Sequence, residues 1–79
     1  MSKAQINAQA RTMVYAYVTG VAQAGKPLDT AFDRLSVIAH LVAMPPLDIW
    51  VLGGLVTIPQ LEQWMGAAIA QTQTRNSQN

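Results

Sequence analysis

Residues 36–58 read SVIAHLVAMPPLDIWVLGGLVTI, 23 positions in which only His40 and Asp48 are strongly polar. On length alone such a run could cross a bilayer, whose hydrocarbon core calls for about 20 apolar residues in a helix. Its interior argues otherwise. Pro45-Pro46 lies near the middle and Gly53-Gly54 follows, and in lipid those residues would leave backbone groups without partners. The residue before a proline is also pushed out of helical geometry. The run therefore reads as a helix ending at about Ala43, a buried turn, and a short helix restarting at Pro46.

That restart, Pro46-Leu47-Asp48, has two counterparts in Pro27-Leu28-Asp29 and Pro59-Gln60-Leu61-Glu62. Proline at the first helical position loses only an amide that would be unpaired anyway, and an acid in the first turn meets the positive end of the helix dipole. All three read as helix starts. Thr57-x-x-Gln60 adds the pattern of a capping box just before the last of them. The expected fold is all-α: a compact bundle of three longer helices, about 4–24, 28–43 and 58–73, with one short helix at about 46–52. Residues 1–74 form a single domain in this reading, and 75–79 a flexible, disordered tail.

Helical periodicity assigns the faces. In the first helix Ile6, Ala10, Met13, Val14, Tyr17, Val18 and Val21 form one stripe, and Gly25 supplies its stop. Gly20 would let another helix approach closely. In the second, Ala31, Phe32, Leu35, Ile38, Ala39 and Val42 form the main stripe, with Val37 and Leu41 extending it, as in a central helix. The fourth carries Leu61, Trp64, Met65, Ala68 and Ile69, beside a smooth surface of Gly66, Ala67 and Ala70. Tight packing within the domain is the simplest use of that surface, and a homodimer seam the next.

Composition narrows the function. Of 79 residues 51% are apolar and only 11% charged, where ~25% charged is ordinary. So few charges leave an apolar face for a partner or a second copy of the chain. The net charge is +1 without a basic cluster, so the electrostatic term behind nucleic-acid affinity is missing. Residues 47–64 have the outline of a helix-turn-helix DNA reader, but no lysine or arginine occurs there and Glu62 would repel phosphates. A DNA-binding regulator is the alternative reading, and a membrane-associated hairpin the second alternative. Residues 13–24 end in Ala22-Gln23-Ala24, as a cleaved signal would. The run is short and interrupted, and it continues the helical periodicity upstream, so a cytoplasmic protein is expected.

Asp33, Ser36 and His40 share one side of the second helix. A serine triad needs its histidine between nucleophile and acid, together with an oxyanion hole, and this order sets the serine between the other two. They read as the polar strip of a buried helix. There are no cysteines and one histidine, and neither HxxxH nor ExxH occurs. No catalytic, cofactor-binding or metal-binding residue is assigned, and no small-molecule substrate.

What remains is a non-enzymatic protein–protein interaction module. It is either a homo-oligomeric assembly protein, a homodimer in the simplest case, or a small binder or inhibitor of a larger complex, a type that phages and mobile elements encode. The short helix cannot hide Leu47, Ile49, Trp50, Val51 and Leu52 together, and Tyr15 lies off the stripe of its own helix. Tyr15, Trp50 and Leu55 are the expected contact residues.

Overall fold

The computed structural model describes the backbone of residues 1–77 and the side chains of residues 1–73. Helix α1 spans Lys3–Gln23, α2 Ala31–Ala43, α3 Leu47–Leu52 and α4 Ile58–Ser77, and the described residues contain no strand. The fold is all-α, as expected. The backbone of α4 runs past the expected end at 73, and the expected tail over 75–79 falls on residues whose side chains, and at 78–79 whose backbone, lie outside the described part.

Each long helix opens with the same device. Ser2 accepts from the Gln5 amide at 3.1 Å while Gln5 Oε1 accepts from the Ser2 amide at 2.8 Å. Thr30 and Asp33 repeat the exchange at 3.0 and 3.2 Å, and Thr57 and Gln60 at 3.3 and 2.9 Å. A hydroxyl and an amide or acid three residues later thus satisfy two orphan donors at each start. This corrects the proline-led account of α2. Asp29 precedes the helix, and Asp33 is the acid in the first turn. Only Asp48 of the three proline-led acids sits in a first turn, with its carboxylate accepting from the Ile49 amide at 2.7 Å. α4 has no acid there.

Two glycine stops set the turns. After α1, the Gly25 amide bonds Ala22 O and the Lys26 amide bonds Val21 O, with Gly25 at φ 76°. After α3, the Gly54 amide bonds Val51 O and the Leu55 amide bonds Trp50 O, with Gly54 at φ 75°. Both are the paired-bond helix stop that requires a left-handed residue, which glycine adopts without steric cost. Between α2 and α3 the chain turns through a cis Pro45-Pro46 bond.

The core forms where α1 lies along α4. Ile6, Ala10, Val14 and Val18 on α1 and Leu61, Met65, Ala68 and Ile69 on α4 are buried, at the steps of three and four that the sequence predicts. Ala22 shares a recess with Ile69, Thr72 and Gln73, so the C-terminal ends of these helices lie together and the two run parallel. α2 returns against them with Val37, Ile38 and Leu41, and Leu28, Leu47 and Val56 close the ends. No polar or charged residue is buried among the described residues. None of the described helices is long and apolar enough to cross a membrane.

Candidate interaction surface

α2 buries a different face from the one its sequence suggests. Of the expected stripe only Ile38 is buried; Ala31, Phe32, Leu35 and Ala39 are exposed and Val42 is half-buried. The core instead takes Val37, Ile38 and Leu41. An apolar residue at nearly every position left the choice open to periodicity, and it is settled by how α2 meets α1 and α4. The face left outside is itself a helical stripe: Phe32, Leu35, Ser36, Ala39 and Ala43.

Large apolar side chains are exposed on α3 as well as on α2. Phe32 is 79% exposed and Leu35 65%; on α3, Ile49 is 67% and Leu52 89% exposed. Leu55 and Ile58, in and just after the α3–α4 turn, are exposed as well. Leu35 lines a recess with Arg34, Ile38, Glu62 and Met65, and Ile58 sits one turn before Glu62 on the same side of α4. Apart from Met1, the large exposed apolar residues of the described part all fall between positions 32 and 58. Lone exposed apolar residues are ordinary, so what sets these apart is their number within one stretch of the chain.

Two of the three residues expected to make contacts come together here. Trp50 is half-buried and packs against the core, while its carbonyl receives the Leu55 and Val56 amides at 2.8 and 3.2 Å, so Trp50 and Leu55 border the α3–α4 turn. Tyr15 is elsewhere. It is half-buried in an open groove of about 620 Å³ between α1 and α4, with Arg11, Thr12, Ala16, Gly20 and Gln71. Nothing lies within 4 Å of where a Cβ on Gly20 or Gly66 would sit, and Ala67 and Ala70 are exposed. These small residues are therefore not spent on helix packing inside the domain. Phe32 and Leu35 are exposed where the sequence puts them in the core stripe, whereas Ile49 and Leu52 belong to the short helix expected to leave some apolar side chains outside. A second apolar arc on α2, too wide for one core face, was the available signal.

Along one edge of the exposed α2 stripe runs a shallow recess of about 230 Å³ between α1 and α2, lined by Tyr17, Lys26, Asp33 and His40 together with Phe32 and Ser36 of the stripe itself. His40 Nδ1 donates to the Ser36 carbonyl at 2.7 Å, and its ring stacks near Tyr17 at 6.4 Å between centroids and 24° between planes. The Asp33 carboxylate is engaged by the Thr30 amide. Asp33 and His40 thus each have a local structural partner. Among the described residues no three of His, Cys, Asp or Glu gather as a metal site would need.

The chain matches no protein-family model, no curated protein and no solved structure.

Proposed function

We propose that this chain is a non-enzymatic interaction module that works by covering its exposed α2–α3 face with protein. The observation that carries the reading is the high exposure of four large apolar side chains, Phe32 and Leu35 on α2 and Ile49 and Leu52 on α3, in a domain with few charges. Desolvating such side chains is worth about 25 cal/mol per Å² of apolar area, and contact energy concentrates in a few large anchors. Trp50 and Leu55 lie at the border of the face and contribute there. Tyr15 belongs to the separate α1–α4 groove. Two uses fit: assembly of copies of the chain, or docking on a larger complex that it blocks or adapts.

The test is a Phe32→Ser/Leu52→Ser double variant, compared with the unaltered chain for self-association and for stable complexes with proteins of the native host. Because both positions are exposed, helix content by circular dichroism should be unchanged while complexes are lost. An unaltered set of complexes, copies included, would reject the surface.

A further inference from the structure

We infer that the occupant of the α2–α3 face is a second copy of this chain, docked across a two-fold axis with the two α2 helices antiparallel. The inference rests on the interaction reading above and narrows its partner.

The shape of the α2 stripe carries the argument. Its N-terminal half presents bulk, in Phe32 and Leu35, and its C-terminal half presents exposed small residues, Ala39 and Ala43, with Ser36 between. Antiparallel pairing of two such helices sets bulk against hollow at both ends. Leu35 of each copy falls over Ala39 of the other, Phe32 falls near Ala43, and Ser36 lies closest to the axis. A two-fold contact must complement itself in this way. The same sense carries Phe32 of each copy toward the C-terminal end of the other's α2, after which α3 carries Ile49 and Leu52.

Size and charge agree with a second copy. The exposed area of Phe32, Leu35, Ile49, Leu52, Leu55 and Ile58 amounts to roughly 700 Å², against about 800 Å² per partner in a standard interface. The apolar residues themselves carry no charge, and the bordering recess holds one cation and one anion, Arg34 and Glu62. A second copy brings the same balanced pair, so the border carries no net charge to oppose association. Between residues 27 and 74 Arg34 is the sole lysine or arginine, too little basic rim for an anionic lipid surface or nucleic acid. The α1–α4 groove displays small residues and none of the large exposed apolar ones.

Light scattering on the eluting protein, up to millimolar concentration, tests the inference. A particle of twice the 8.5 kDa chain mass is expected. Leu35→Glu and Ala39→Glu should each weaken association by more than about tenfold with helix content unchanged, and Ala16→Glu in the groove should leave it intact. The chain has no cysteine, so Ser36→Cys should give covalent dimers on mild oxidation, whereas Ala16→Cys should not. A wild-type monomer throughout the concentration range overturns the inference. So does a dimer that survives both α2 charges but is lost in Ala16→Glu. If the chain is monomeric and a host protein binds it but not Leu35→Glu, the second copy is rejected while the interaction reading stands. A monomer in which Leu35→Glu changes no complex rejects both.

Discussion

Leu41 has no accessible surface, and its side chain joins α2 to the core built by α1 and α4. Truncation to alanine removes buried methyl groups and leaves a cavity, so Leu41→Ala should lower unfolding free energy by about 2–5 kcal/mol in a urea titration. In a domain this small that is a large share of the total. Asn7 is the opposite case. Its Oδ1 is hidden from solvent without a hydrogen-bond partner, and it stands in a helix interior where alanine is the better former. Asn7→Ala should stabilise the chain by about 1 kcal/mol, read as a higher urea midpoint. The start of α2 offers a paired comparison. Thr30→Ala breaks a reciprocal cap and should cost about 1 kcal/mol, while Asp29→Ala, outside the helix, should stay within about 0.5 kcal/mol. Equal losses at both positions would show that the acid at 29, not the hydroxyl at 30, organises the start.

At the scale of elements, the two glycine types behave in contrary ways. Gly54 holds a left-handed backbone at φ 75°, so Gly54→Ala should destabilise by about 1 kcal/mol. Gly20 is helical, with open space where its Cβ would stand. Gly20→Ala should therefore raise the thermal midpoint, worth up to about 1 kcal/mol. What the sequence discloses follows the same division. The stripes of α1 and α4 are readable because polar residues bound them, and Ile6, Ala10, Val14, Val18, Leu61, Met65, Ala68 and Ile69 are all buried where periodicity puts them. The stop at Gly25 and the cap at Thr57 are readable because each depends on neighbours within a few residues. α2 is not. With apolar residues at 31, 32, 35, 37, 38, 39, 41 and 42, its buried side depends on the position of α1 and α4, which no local pattern contains. The residues of the proposed contact face share that fate: Leu55 is exposed by its place in a turn, but Phe32 and Leu35 were expected inside.

The whole molecule measures 39 × 23 × 18 Å, and a domain of this size has little core to spare. If copies associate through the α2–α3 face, folding is linked to association, and the thermal midpoint should rise with protein concentration. Calorimetry over a hundredfold dilution would show the dependence, and Leu35→Glu should abolish it. The parallel pairing of α1 with α4 also orders events during synthesis. Residues 24–57 separate these helices, so contacts between them close a long loop before they return any energy. At about 5–20 residues per second, α1 would wait roughly 3–10 s for α4 to be made. Throughout that interval Ile6, Val14 and Val18 lack the cover that α4 gives them. The nascent chain therefore completes its core only once α4 has emerged.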